Sequence, residues 1–218
     1  MKYGQIAGNK SINNTIHRCF EYLHEKDVQK FVRKFSEQPH DGNQVMHTFR
    51  ELVLGAYLMS NKFNARYDHP VDSNTPDWCI LDDMSRLRGI VELVNFHTKR
   101  EAETEIQRTF QVRQVWVDWM PPNDDRLYQS IWEKARVYKT LIKKHCVPYV
   151  IVIFSDFFAA VDINELHSCV LHSETGLFKL YPTISGFLFF EEKSGKYYFK
   201  YTSNFHSDHK IHLPDCVF

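Results

Sequence analysis

The chain has 218 residues, of which 43% are hydrophobic and 15% aromatic, so it can build a packed core and is not a disordered polymer. Its 27 basic and 27 acidic residues cancel, which argues against a strongly basic protein of the histone kind but allows a local basic groove. The length favours one domain, with residues 1–42 as an N-terminal helical extension and residues 43–218 as the main body.

The cysteines and the apolar stretches indicate the cellular compartment in which the protein is expected. The five cysteines are widely spaced and form no CxxC pair, which predicts free thiols in a reducing compartment rather than a disulfide framework or a zinc site. The N-terminal segment MKYGQIAGNK lacks the apolar core of a signal peptide. No stretch approaches the roughly 20 apolar residues of a membrane span. We therefore expect a soluble, cytoplasmic protein with no membrane partner.

Helical patterns dominate the first part of the chain. Apolar residues at helical spacing predict one long helix over residues 11–37, a packing helix or the surface for a homodimer or another protein partner. A second helix is predicted over residues 43–60, with one apolar stripe facing the core. Glu51 lies on a different face of this helix, in line with His47 and two leucines. Glu51 is therefore expected to point toward a neighbouring element, with a plain surface glutamate as the alternative.

Strand patterns follow the second helix. Residues 63–69 predict a short strand that leads into a hairpin. The hairpin has a first strand over Asp77–Leu81, a turn over Asp82–Arg86 and a second strand over Leu87–Asn95.

Two acids, Asp77 and Glu92, thus lie near one another on neighbouring strands, each within an apolar run. An isolated carboxylate in such surroundings is costly to desolvate, and a metal ion or a basic partner relieves that cost. The pair therefore predicts a site. The plain alternatives are that Asp77 caps the strand end and that Glu92 pairs with Arg86 or Arg88 across the hairpin.

The second half of the chain begins with a charged helix predicted over residues 99–115 and a clearer helix over residues 123–145. Lys134 lies beside the buried stripe of the clearer helix. An outer face of the same helix carries three cations, which are either solvated or follow a phosphate backbone: Arg136, Lys139 and Lys143.

The remaining elements complete a sheet. Residues 148–154 form a continuous apolar run, as expected of a strand covered on both faces. A short helix is predicted over residues 162–171, and a terminal hairpin over residues 185–190 and 197–202. The tail with His206, His209 and His212 is predicted to be a loop. The order of elements predicts an α/β fold with a mixed central sheet of about four to five strands flanked by helices.

The acidic pair suits an oxygen-seeking cation. Mg²⁺ and Mn²⁺ bind one or two carboxylates together with waters and substrate phosphates. We expect Asp77 and Glu92 to supply the carboxylates, the backbone carbonyl of Leu93 to supply a third oxygen, and Glu51 to assist directly or through water. A metal held in this way polarises a phosphodiester and activates water, and a nearby cation stabilises the developing negative charge.

The chain resembles the PD-(D/E)xK nuclease superfamily over about residues 44–155. The residues that carry the resemblance are Glu51, Pro76-Asp77, Glu92-Leu93-Val94, Lys134, Tyr138 and the strand Tyr149–Phe154. The resemblance implies a restriction-endonuclease-like fold and metal-dependent hydrolysis of DNA, less often of RNA. These implications include the roles of Asp77 and Glu92 as metal-binding catalytic residues.

One position departs from the family pattern. The family has a lysine two residues after the glutamate, on the same face of the strand, and this chain has Val94 there. Some branches of the superfamily supply that lysine from the following helix, which makes Lys134 the expected replacement, with His97 and Lys99 as alternatives. If none of these reaches the site, the chain is an inactive module that binds nucleic acid or a protein partner, or a scaffold.

Overall fold

A seven-stranded mixed sheet forms the centre of the structure. The computed structural model describes residues 10–37, 42–95, 124–155, 170 and 176–218. The strands lie side by side in chain order and are β1 (Ala65–Tyr67), β2 (Trp78–Leu81), β3 (Leu87–Asn95), β4 (Tyr149–Ser155), β5 (Gly186–Lys193), β6 (Lys196–Ser203) and β7 (Cys216–Val217).

The sheet is parallel at its centre and antiparallel at both sides. β3 pairs with β4, and β4 with β5, in parallel, whereas β1, β2 and β3 on one side and β5, β6 and β7 on the other pair antiparallel. The α/β class and the mixed sheet predicted from the sequence are confirmed. The predicted number of about four to five strands was wrong, because the sheet has seven. β1 lies within the short strand predicted over residues 63–69, whereas β7 has two residues, too few for an alternating pattern.

Five helices are described, and they divide between the two faces of the sheet. One face is covered by α1 (Lys10–Phe20), α2 (Glu25–Glu37) and α3 (Gly42–Ser60), and the other by α4 (Asp124–His145) and the short α5 (Leu177–Leu180). β4 alternates between the two cores: Tyr149 packs toward α4, and Val150 packs toward α3. This double cover explains the continuous apolar run of β4, as predicted.

The predicted long helix over residues 11–37 is wrong, because two helices occupy this range. The amides of Tyr22 and Leu23 bond back to Cys19 and Phe20 at 3.1 and 3.3 Å, which closes α1 with a tight turn. The carbonyl of His24 then accepts the first amides of α2. The break lets both helices pack against the core of α3, in which Cys19, Phe31 and Phe35 are buried.

Other predicted elements agree closely with the structure. The second helix, the acidic hairpin, the helix that carries Lys134 and the terminal hairpin all lie within a few residues of their predicted bounds. The predicted helix over residues 99–115, and all of the one over 162–171 except the helical Val170, lie outside the described residues. His206, His209 and His212 lie in an irregular segment before β7. Within the described ranges, every helix is too short or too polar to cross a membrane.

Gly55 of α3 provides a test of how tightly α3 packs on β2. A Cβ atom built on Gly55 would lie 1.9 Å from the indole of Trp78, which is fully buried. The Trp78 indole N–H also donates to the carbonyl of Glu51 at 3.0 Å, so the ring is held in place.

We expect Gly55→Ala to destabilise the protein by about 1–3 kcal/mol through overpacking, although alanine is the better helix former by about 1 kcal/mol. Urea unfolding would measure the change. Gly89→Ala in β3 is the control, because its Cβ would meet its nearest neighbour at an ordinary 3.5 Å. A Gly55→Ala variant as stable as the wild type would contradict this packing.

Candidate functional site

The acidic pair is fixed by reciprocal hydrogen bonds. Asp77 immediately precedes β2 and, continuing the register Trp78↔Val91, lies opposite Glu92 of β3. The amide of Asp77 donates to Oε1 of Glu92 at 2.8 Å, and the amide of Leu93 donates to Oδ2 of Asp77 at 2.8 Å. The side chain of Glu92 is 1% exposed and that of Asp77 17% exposed. Two carboxylates are therefore held side by side with little access to water.

Lys134 supplies the positive charge at this pair. Its ammonium donates to Oε2 of Glu92 and lies 3.9 Å from Oδ2 of Asp77. Lys134 comes from α4, which packs over β3 and β4. Val94 shares the strand face of Glu92 and is 4% exposed, in the apolar core beneath α4. The cation thus reaches the carboxylates from the helix and not from the strand. His97 and Lys99 lie outside the described residues.

The pair carries more negative charge than Lys134 balances. Burial, followed by the neighbouring Glu92 charge, raises the pKa of Asp77 to about 8, against the opposing effects of Lys134 and the Leu93 amide. Burial alone would lower the pKa of Lys134, but the two carboxylates outweigh it and raise that pKa. The site therefore favours either a retained proton or a further cation.

Two tyrosines border the pair beneath α4. The Tyr138 hydroxyl is hydrogen-bonded to Glu92, and burial together with the Glu92 charge raises the pKa of Tyr138. The hydroxyl of Tyr149, the first residue of β4, is buried and has no hydrogen-bond partner among the described residues. The sequence singled out Tyr138 through the family resemblance; the structure buries it and makes it a partner of Glu92. Its position four residues after Lys134 was the available signal.

Glu51 lies in a separate polar network on α3. It accepts hydrogen bonds from the Tyr67 hydroxyl and from Nε2 of His47 at 3.2 Å, and the Lys34 ammonium is 3.8 Å away. Burial works to raise the pKa of Glu51, but the His47 hydrogen bond and the charges of His47 and Lys34 lower it overall. Glu51 is buried and directed at neighbouring elements, as predicted, rather than exposed on the surface.

The pair and Glu51 do not form one metal-binding cluster. Within the part of the chain that the structure describes, no group of three or more His, Cys, Asp and Glu side chains is placed to hold a metal ion. The charge of Glu51 nevertheless acts on Asp77 and Lys134, raising the pKa of both. An open cleft of about 450 Å³ lies beside Lys134. The walls of this cleft are His47, Leu93, Val94, Ser130, Glu133, Lys134, Val137 and Tyr138. His47 is thus the residue that joins the Glu51 network to the cleft, a role that sequence reasoning missed.

The oxygen donors fit a hard divalent cation. Asp77 and Glu92 offer carboxylate oxygens, which together with waters suffice for Mg²⁺ or Mn²⁺. The amide of Leu93 points toward Asp77, and in a strand the carbonyl of the same residue points to the same side. Leu93 therefore offers a third oxygen near the pair. Lys134 would have to share Glu92 with such a cation, because its ammonium now contacts that carboxylate.

The raised pKa of Asp77 predicts a pH-dependent stability. Asp77 is protonated in both folded and unfolded chains below its unfolded pKa of about 3.9. As the pH rises from there to about 8, only the folded state resists ionisation, so the free energy of unfolding falls.

Asp77→Asn removes this penalty, and we expect it to stabilise the protein at pH 8.5 relative to pH 5 by about 1 kcal/mol or more. Urea unfolding of both proteins in EDTA at the two pH values measures the difference. Asp83→Asn, at an exposed acid in the turn of the same hairpin, is the control. An Asp77→Asn effect of equal size at both pH values would contradict the assigned electrostatics.

Comparisons of this chain with protein-family models, with curated proteins and with solved structures find no match. The family resemblance therefore stays a prediction.

Proposed function

We propose that the protein is a metal-dependent phosphodiesterase of the PD-(D/E)xK type that hydrolyses nucleic acid, with DNA as the expected substrate. The observation that carries this proposal is the contact of Lys134 with the Asp77–Glu92 pair. Lys134 provides the positive charge that is missing at Val94, where the family has a lysine. The order α3, three antiparallel strands, α4 and a parallel strand supports a restriction-endonuclease-like core.

Each residue at the pair has a distinct role in this proposal. Asp77, Glu92 and the Leu93 carbonyl would hold Mg²⁺ or Mn²⁺. The bound cation would polarise the phosphodiester and lower the pKa of the attacking water. Lys134 places a preorganised positive charge where the phosphate gains negative charge. The Tyr138 hydroxyl holds Glu92 in position from the side of α4.

Glu51 acts in this proposal as a positioning residue. Its carboxylate holds His47, which lines the same cleft as Lys134 and Tyr138. Tyr67 and Lys34 fix the carboxylate in turn. Glu51 therefore assists through His47.

An inactive module of the same fold is the second candidate function. The buried Val94 favours it, and so does Lys134, which already serves as a counterion of the two carboxylates. Such a module would bind nucleic acid or a protein partner without cleavage. Metal affinity and nicking together separate the two candidates.

The first test is Mn²⁺ or Mg²⁺ titration by calorimetry beside a plasmid-nicking assay. We expect the wild type to bind the metal and nick supercoiled DNA, and Asp77→Ala/Glu92→Ala to lose both, because the carboxylates are the principal ligands. Asp83→Asn should behave as the wild type. Metal binding without nicking would favour the inactive module, and a wild type that binds no metal would exclude the proposed chemistry.

Lys134 is tested separately. We expect Lys134→Met to keep or strengthen metal binding, because a competing cation leaves the carboxylates, while nicking falls by about 10²–10³-fold. Lys144→Met, an exposed lysine of the same helix that forms a surface ion pair with Asp72, is the matched control. Wild-type nicking by Lys134→Met would remove Lys134 from the mechanism.

A further inference from the structure

A second and larger cleft lies along the other flank of α4, away from Lys134. We call it the basic groove; its volume is about 710 Å³. The helix contributes Trp132, Arg136, Lys139 and Lys143. The facing walls are the end of α5 with the segment that follows it, residues 180–183, and the loop after β6, residues 207–209. The proposed catalytic residues take no part in its lining.

The groove presents a row of positive charge. The ion pairs that α4 forms among the described residues use Lys134, Lys144 and His145. Arg136, Lys139 and Lys143 are all exposed and stand on one side of the helix, over a rise of about 10 Å. Asp208 is the carboxylate of the opposite wall. The three cations outnumber it, so the groove suits a polyanion.

Aromatic rings accompany the charges. Trp132 is 40% exposed, which is unusual for so large an apolar side chain, and the guanidinium of Arg136 lies 5.3 Å from its ring centroid. Trp132 and Tyr181 also line an adjoining open cleft with Tyr128 and Gln129. Tyr128 and Tyr181 are half-buried against the core, so the exposed Trp132 ring is the principal flat face of the groove, with Tyr181 beside it. Cations are enough to bind a polyanion that has no aromatic groups. An exposed ring beside cations suits a ligand that also has flat faces.

We infer that the basic groove binds single-stranded nucleic acid, with phosphates on the cations of α4 and bases stacked on Trp132 and Tyr181. Proteins that hold single strands combine these two features, and a duplex hides its base faces. The inference rests on the proposed function for the ligand class and adds a strand-holding surface across α4 from the cleavage site.

The experiment measures binding without cleavage. Fluorescence anisotropy of a fluorescein-labelled dT12 oligonucleotide is recorded in EDTA over a range of NaCl concentrations. We expect Trp132→Ala to weaken binding about tenfold, since base stacking on one ring is worth that much or more. Trp132→Phe should keep most of the affinity, which excludes a folding defect as the cause. Tyr198→Ala on β6, 38% exposed, is the control of similar exposure.

The charges are tested by their salt dependence. Arg136→Ala/Lys139→Ala/Lys143→Ala should lower the slope of log affinity against log salt by about 2, at about 0.7 per phosphate contact of a single strand. Lys144→Ala/Lys193→Ala/Lys196→Ala removes the same charge outside the groove and should leave the slope near the wild-type value. Equal affinities for Trp132→Ala and Tyr198→Ala, or equal slopes for the two triple variants, would overturn the inference.

Two further arms separate this result from the nuclease proposal. The Asp77→Ala/Glu92→Ala variant should bind dT12 in EDTA as the wild type does, whatever the nicking assay shows. Loss of binding in that variant would place the strand at the catalytic cleft and overturn the groove as its site. Competition by a poly-glutamate peptide as effective as unlabelled dT12 would also overturn it, because an acidic protein segment would then be the better ligand.

Discussion

The structure depends on the electrostatic cost of two carboxylates on adjacent strands with little water around them. Backbone amides meet part of that cost, since Asp77 and Leu93 each donate to the acid on the opposite strand. Lys134 meets another part, and it reaches the pair only because the buried stripe of α4 packs on β3 and β4. The part of the cost that these groups do not offset, from burial and from the Glu92 charge, keeps the pKa of Asp77 high. The site is thus a locally unfavourable arrangement that the cores on both faces maintain.

Much of this arrangement could be predicted from the sequence, because it follows from the side-chain periodicity of strands and of helices. The two-residue period of strands places Glu92 and Val94 on one face, and the antiparallel hairpin brings Asp77 opposite Glu92. The 3.6-residue period of α4 places Lys134 beside Ile131, Ala135 and Tyr138, which are buried as expected. A lysine next to a buried stripe must lie near the sheet, so its encounter with the acids follows from periodicity and from the crossover between two parallel strands.

Other features depend on contacts that no local pattern encodes. The break between α1 and α2 occurs without proline or glycine, and it is fixed by the packing of Cys19 and Phe31 into one core. The hydrogen bond between Tyr67 and Glu51 joins residues 16 positions apart, and the contact between Lys34 and Tyr67 spans 33. The two-residue edge strand β7 exists because β6 offers free backbone groups, and its own sequence contributes little.

The peptide bond between Asp77 and Trp78 joins the two halves of the molecule. Asp77 belongs to the α4 side of the sheet, whereas Trp78 is buried on the α3 side, against Gly55 and beneath the carbonyl of Glu51. The acid is therefore followed directly in the chain by a tryptophan that is fixed in the core of the opposite face. Repacking of the α3 core would tilt this peptide and move the carboxylate with it. The two cores consequently cannot change in sequence independently. Substitutions in the α3 core will be limited by the position that the Asp77 carboxylate requires on the α4 side.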